Sequence, residues 1–97
     1  MKITVRIRDR IEFSILGQEL CRLRKAAGLS QAKVEASLNQ HSGWSSRIEK
    51  GSYYIDFATM LDYIALTGGN APDVIKRVQE EAALHYKSLG QKPPFER

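Results

Sequence analysis

The sequence contains few of the residues that build disulfides, metal centres or catalytic clusters. Its 97 residues include one cysteine, Cys21, and two histidines, His41 and His85. A single cysteine cannot form an internal disulfide, and the two histidines are far apart in the sequence, with no cluster of acids or cysteines around either. We therefore predict no metal site, no cofactor and no enzymatic activity, and we expect Cys21 to fill space in the core.

Long apolar runs are also missing. No stretch approaches the ~20 apolar residues that cross a bilayer, and charged residues near the N-terminus interrupt any signal-peptide pattern. Hydrophobic residues make up 42% of the chain and charged residues 27%, which is typical of a folded domain rather than a disordered segment. We therefore predict one small cytoplasmic domain, because domains typically contain ~100–150 residues.

Basic residues are concentrated in the first half of the chain. Residues 1–51 contain ten Lys or Arg and five Asp or Glu, whereas residues 52–97 contain five and six. The net charge of the whole chain is +4. A basic region of this kind is a candidate surface for a polyanion, so we place the candidate binding face in the first half.

The N-terminal segment has the alternation of a strand. Apolar and polar residues alternate over residues 3–7, and the alternation resumes over residues 11–15. We assign residues 1–13 to an N-terminal β extension. Because a lone strand is not stable in water, we expect it to pair, with the same strand of a second subunit as one partner, which makes it a candidate dimer arm.

Five helices are predicted from apolar residues at helical spacing. Ser14, Ser30 and Asp56 are suited to cap the starts of three of them, and Gly28 and Asn39 are suited to left-handed positions after two. The predicted helices cover about residues 14–27, 31–38, 42–50, 57–67 and 72–89. We predict a mainly α fold with three parts after the extension, namely residues 14–69 as the main unit, residues 70–90 as a C-terminal helix and residues 91–97 as a flexible tail.

The short turn between the second and third predicted helices is typical of a helix-turn-helix. The sequences LRKAAGLSQ at residues 23–31 and SRIEKG at residues 46–51 resemble the Cro/C1-type (XRE) helix-turn-helix family, and the resemblance covers roughly residues 15–69. It implies a five-helix, lambda-repressor-like domain that binds double-stranded DNA.

The resemblance also implies roles for individual residues. Ser30 and Gln31 correspond to the start of a helix that holds a DNA phosphate, and residues 41–50 correspond to the recognition helix, whose first half enters the major groove. Arg24 and Glu49 correspond to a partly buried ion pair that ties the first helix to the end of the third. The candidate DNA-binding residues are Ser30, Gln31, Lys33, His41, Ser42, Gly43, Trp44, Ser46, Arg47 and Lys50.

Four residues depart from the family pattern, and the first of them, Asn39, stands where the turn usually has glycine. Gln40 and Ser45 stand where apolar residues are usual, and Gly43 lies inside the predicted recognition helix, where glycine costs ~1 kcal/mol relative to alanine. Trp44 then has two interpretations: it is exposed against DNA, which we favour, or it is turned inward to replace the bulk that is missing at Ser45. Arg47, one turn after Gly43, can contact a guanine edge or a phosphate.

These features predict a sequence-specific DNA-binding transcriptional regulator that acts as a repressor. A domain this small offers few base contacts, so we expect a homodimer on a palindromic operator, held together by residues 1–15 or by the last helix. The alternative is a protein-interaction module of antitoxin type or phage origin with the same fold. In that case a protein partner, such as a toxin or another regulator, is bound, and DNA binding is secondary or lost.

Overall fold

The computed structural model describes residues 10–94, and that part of the chain contains five α-helices. The helices are α1 (Ile11–Ala26), α2 (Gln31–Ser37), α3 (Trp44–Glu49), α4 (Phe57–Leu66) and α5 (Ala71–Ser88). The mainly α class and the number of helices are therefore as predicted. Residues 1–9 of the predicted β extension lie outside the described residues.

The start of α1 differs from the prediction. Ser14 does not cap this helix, because the helix already begins at Ile11. The alternation that suggested a strand here also suits a helix, since Ile11 and Ile15 are four residues apart and share one face. Both pack in a cluster with Ala82 of α5. Residues 11–13 therefore belong to α1 and not to a β extension.

Three helices begin with a side-chain cap from the residue before them. Ser30 accepts a hydrogen bond from the backbone N–H of Lys33 at the start of α2, and Asp56 accepts one from Thr59 at the start of α4, which confirms both predicted caps. Asn70 caps α5 in the same way. Each cap satisfies an N–H group that a helix start would otherwise leave without a partner.

The main core draws side chains from all five helices. Its buried members are Leu20, Val34, Trp44, Ile48, Ile55, Met60, Tyr63, Ile64 and Val74. A second cluster joins α1 to α5 through Ile15, Ala82 and Tyr86. Because the main core includes residues from both sides of the turn between α2 and α3, it fixes how these two helices sit on the rest of the domain.

Some apolar residues of the predicted helix faces are not in the core. Phe57 is 66% exposed, Leu89 is 58% exposed and Ile75 is 41% exposed. Phe57 and Leu89 lie at or beyond helix ends. Helical spacing predicts which face of the helix such a side chain lies on, but it does not predict whether another helix packs there. Conversely, Pro93 is fully buried although it lies in the segment predicted as a flexible tail.

Two glycines allow α3 and the turn after it to lie directly on α1. A Cβ atom at Gly17 would lie 2.3 Å from the carbonyl oxygen of Ile48 and 2.7 Å from that of Glu49, which is closer than atoms can pack. Gly51 has a φ of +76°, and a Cβ atom there would lie 2.7 Å from the Cα atom of Ser14. These close approaches hold α3 in one position against α1.

Candidate nucleic-acid interface

The start of α3 differs from the predicted recognition helix. Gly43 precedes the helix with a φ of +90°, and His41 and Ser42 lie before it in the turn. A left-handed backbone suits glycine because it has no Cβ atom, so Gly43 does not weaken the helix in the way that the sequence suggested. The helix begins at Trp44 and ends at Glu49, and it is shorter than predicted.

A carboxylate from α2 provides the cap that Gly43 has no side chain to provide. Glu35 is buried, and its Oε2 accepts a hydrogen bond of 2.9 Å from the backbone N–H of Ser45. This bond caps α3 from the neighbouring helix and ties α2 to α3 across the turn. No local pattern indicates the role, because the two residues are ten positions apart and only the folded turn brings them together.

Trp44 faces the interior, which corrects the exposed orientation favoured from the sequence. Only 7% of its surface is exposed, and its ring centroid lies 6.2 Å from that of Tyr63. The inward interpretation is therefore the right one, and the indole supplies bulk next to the small, fully buried Ser45. Trp44 is packed in the core and is not part of an exposed DNA-binding surface.

Ser45 belongs to a buried polar network centred on Glu49. Its hydroxyl donates to Oε2 of Glu49 at 3.1 Å, and the hydroxyl of Tyr63 donates to the same oxygen at 2.7 Å. Arg24 donates to both carboxylate oxygens, from Nε at 2.6 Å and from Nη2 at 3.1 Å. Nε2 of Gln31 donates to Oε1 at 3.1 Å. A serine is stable at this usually apolar position because its hydroxyl is hydrogen-bonded.

The network keeps Glu49 ionised. Burial, the largest influence, raises the pKa of Glu49, but the hydrogen bonds that it accepts, first from Arg24, outweigh burial and lower the pKa to about 2. The hydrogen bond to Glu49 raises the pKa of the Arg24 guanidinium, and burial raises the pKa of Tyr63. The interior therefore contains a complete ion pair, in which loss of either charge would leave the other buried alone.

The other candidate residues lie at the start of α2, in the turn and along α3. The exposed ones are Ser30, Lys33, His41, Ser42, Arg47 and Lys50. The half-buried ones are Gln31, Gly43 and Ser46. The structure thus places these residues on two helices, in the turn between them and at their ends, and the hydrogen bond between Glu35 and Ser45 joins the two helices.

Charges in residues 29–55 are segregated by sign. The basic residues of this segment are all exposed, and its acidic residues are both buried and hydrogen-bonded. The basic residues are Lys33, Arg47 and Lys50, and the acidic residues are Glu35 and Glu49. The surface of this segment is therefore positive, which suits a polyanion.

The side chain of Arg47 contacts the turn that follows α3. Its Nη1 donates to the hydroxyl oxygen of Tyr53 at 3.3 Å, and its guanidinium carbon lies 5.3 Å from the centre of the Tyr53 ring. The ring of His41 meets the same tyrosine edge-on, with centroids 6.0 Å apart. These three exposed side chains form the Arg47 cluster, and Tyr53 is its central member.

A family model described as a helix-turn-helix domain matches residues 15–74. The chain belongs to the Cro/C1-type (XRE-like) helix-turn-helix family. In this helix-turn-helix protein, α2 and α3 are the two helices of the motif, and the family is one of DNA-binding regulators. No curated protein and no solved structure matches the chain significantly. Between residues 10 and 94, no helix is long and apolar enough to cross a bilayer.

Proposed function

We propose that this helix-turn-helix protein is a sequence-specific transcriptional repressor that binds a palindromic operator as a homodimer, with α3 in the major groove. The observation that carries the proposal is the charge segregation in residues 29–55, where every basic residue is exposed and every acidic residue is buried. Residues 29–55 present no exposed carboxylate to an approaching phosphate, and the counterions that phosphates release on binding make affinity depend on salt. The proposal requires no cofactor and no enzymatic step, and it associates the protein with cytoplasmic, nucleoid DNA.

The exposed residues divide into those suited to phosphates and those suited to bases. Lys33, in the first turn of α2, and Lys50, at the end of α3, present single charges that suit phosphates. Gln31 donates one Nε2 proton to Glu49, and the second proton of that amide can donate to a phosphate. The side chains suited to base edges are those of His41, Ser42, Ser46 and Arg47. The guanidinium of Arg47 can donate two hydrogen bonds to one guanine.

The departures from the family pattern do not disable α3. Gly43 lies before the helix, where its left-handed backbone is required. Ser45 is hydrogen-bonded through both its backbone N–H and its hydroxyl. The side-chain amide of Gln40 donates to the carbonyl oxygen of Leu38 at 3.3 Å. These contacts support an intact DNA-binding helix and weaken the alternative in which the fold has lost DNA binding.

The homodimer follows from the small number of base pairs that one domain can contact. Two copies related by a two-fold axis would place half-sites about 34 Å apart. One surface suited to a second copy is an apolar groove of about 130 Å³ between α1, α4 and α5. Its apolar lining consists of Phe13, Leu16, Met60, Ile75 and Val78. A second copy would remove this lining from water, which is the main favourable term in association.

The groove variant Ile75→Glu tests the dimer by sedimentation. We expect the wild type to sediment as a dimer and the variant as a monomer, because a charge in an apolar interface is strongly unfavourable. A wild type that is monomeric at every concentration would contradict the dimer. A dimer that the variant leaves intact would move the interface elsewhere and leave the groove for a protein partner, as in the antitoxin-type alternative.

Selection of bound oligonucleotides from a random pool of duplexes tests the function itself. We expect enrichment of one sequence with two-fold symmetry, and we expect binding to random duplexes to fall steeply as salt is raised. A pool that shows no enrichment, with no binding at low salt, would contradict the proposal and favour the protein-interaction alternative. Enrichment of an asymmetric site would keep DNA recognition and contradict the palindrome.

A further inference from the structure

The backbone of the turn after α3 forms hydrogen bonds with the last carbonyl groups of that helix. Gly51 takes a left-handed backbone, and its N–H donates to the carbonyl oxygen of Ile48 at 3.0 Å. The next two N–H groups, those of Ser52 and Tyr53, donate to the carbonyl oxygen of Arg47 at 2.9 Å and 3.3 Å. The first two of these bonds form the Schellman motif, which satisfies the last carbonyls of a helix. The backbone of Tyr53 is thereby fixed next to Arg47.

The side chains of Arg47 and Tyr53 also contact each other. The guanidinium of Arg47 both donates to the Tyr53 hydroxyl and lies over the Tyr53 ring. It also lies close to Gly43, since a Cβ atom there would be 3.5 Å from Nη1 of Arg47. An exposed arginine normally samples many rotamers, and two contacts with one fixed partner restrict that freedom.

We propose that Tyr53 is a positioning residue for Arg47 and that it sets how strongly this arginine discriminates between DNA sequences. The inference rests on the proposed function, because it assigns Tyr53 a part in base recognition by Arg47. A side chain that is oriented before binding loses less freedom on binding, so more of its contact energy appears as affinity. Tyr53 therefore contributes to specificity without contacting a base.

A double-mutant cycle on DNA tests this role. Wild type, Tyr53→Leu, Arg47→Ala and the double variant are each measured on the selected oligonucleotide and on a random-sequence duplex. We expect Tyr53→Leu to lower the ratio of selected to random binding by about two- to fivefold, and to have no further effect when residue 47 is alanine. Tyr53→Phe keeps the ring and should lower the ratio less. An equal loss in the Arg47→Ala background would overturn the proposal, because Tyr53 would then contact DNA itself.

Tyr54→Leu is the matched control for these variants. Tyr54 is the neighbouring tyrosine and is 62% exposed, but its ring meets Phe13, with centroids 5.3 Å apart, and not Arg47. Its replacement should leave the ratio of selected to random binding unchanged. An equal loss of that ratio in Tyr54→Leu would also overturn the proposal, because the effect would then belong to the loop and not to the contact with Arg47.

A measurement without DNA separates this inference from the proposed function. NMR relaxation of the Arg47 Nε–H group in the free protein should show a more rigid guanidinium in the wild type than in Tyr53→Leu, with Tyr54→Leu like the wild type. Equal mobility in wild type and Tyr53→Leu overturns the positioning role even if DNA is bound. A wild type that binds no duplex overturns the proposed function and the specificity role together, while the relaxation data still decide whether Tyr53 holds the arginine.

Discussion

The segment that contains α2 and α3 and the surface of α5 use charge in opposite ways. In residues 29–55 the acidic side chains are buried and the basic ones are exposed. On α5 both signs are exposed side by side, in Asp73, Lys76, Arg77, Glu80 and Glu81. Mixed charges are typical of a solvated helix face, whereas a surface of one sign is typical of a polyanion site. The placement of acidic residues, more than their number, therefore distinguishes the surface of residues 29–55 from that of α5.

Two of the arginine–glutamate pairs in the described part of the chain show what this placement requires. Arg24 and Glu49 are both buried, and the pair is closed by several hydrogen bonds. Arg77 reaches Glu19 at 3.4 Å from the surface of α5 with a side chain that is 54% exposed. Glu19 is also paired with Arg22. Both carboxylates are buried, but only in the first pair is the arginine buried as well.

Breaking the buried pair should have the largest effect. Arg24→Met leaves the ionised Glu49 buried without its main partner, and we expect it to lower the free energy of unfolding by ~3–5 kcal/mol. Arg77→Met is the matched control, and we expect a loss below ~1 kcal/mol because Arg77 is largely exposed to water and Glu19 keeps its pairing with Arg22. Urea denaturation measures both. Similar losses for the two variants would contradict the difference that we draw between the two regions.

Acid should weaken the same network, and the sign follows from the pKa of Glu49. This pKa is lowered from 4.5 to about 2 on folding, so the folded protein binds fewer protons than the unfolded chain between these values. The contribution of Glu49 is fully present above about pH 4.5 and is lost as the pH falls towards 2, with a total of about 3 kcal/mol. Glu49→Gln has no such group, so the difference in unfolding free energy between wild type and variant should shrink over this range. A constant difference would show that Glu49 does not titrate in the network.

Arg47→Ala tests whether the exposed basic residues of residues 29–55 include a base contact. We expect it to weaken binding to the selected oligonucleotide by ~1–3 kcal/mol and binding to a random duplex by less, because a base contact is lost. Titration of both duplexes at one salt concentration measures the two losses. Equal losses would make Arg47 a phosphate contact. The unfolding midpoint is the control, since an exposed arginine contributes little to stability.

The parts of the fold that depend on neighbouring residues could be predicted from the sequence. The caps at Ser30 and Asp56 and the left-handed Asn39 are such features, because each involves residues within one turn. The start of α1 could not be predicted in the same way. A spacing of two between Ile11, Phe13 and Ile15 fits a strand, and only the packing of α5 on the first and last of these residues shows that it belongs to a helix.

The candidate site was harder to predict because its decisive contacts are distant in the sequence. The cap that Glu35 provides, the inward turn of Trp44 and the contact between Arg47 and Tyr53 all depend on how α2, α3 and the following turn meet. The family resemblance indicates which residues are candidates for contact with DNA, but it does not indicate which of them are buried. Ser45 shows the reason, since its hydroxyl donates to Glu49, and the carboxylate of Glu49 is also held by residues of α1, α2 and α4.

We expect the smallest effect from Lys50→Ala, which compares the surface of residues 29–55 directly with that of α5. Lys50→Ala removes a charge at the end of α3, so we expect binding to weaken about equally on selected and random duplexes and the slope of log affinity against log salt to decrease by about 1. Lys76→Ala removes the same charge from the mixed surface of α5 and should change neither quantity, although the net charge of the chain falls equally in both variants. If affinity depended only on net charge, the two variants would behave alike. A difference confined to Lys50 would mean that the segregated surface, and not the overall positive charge, makes the contact with DNA.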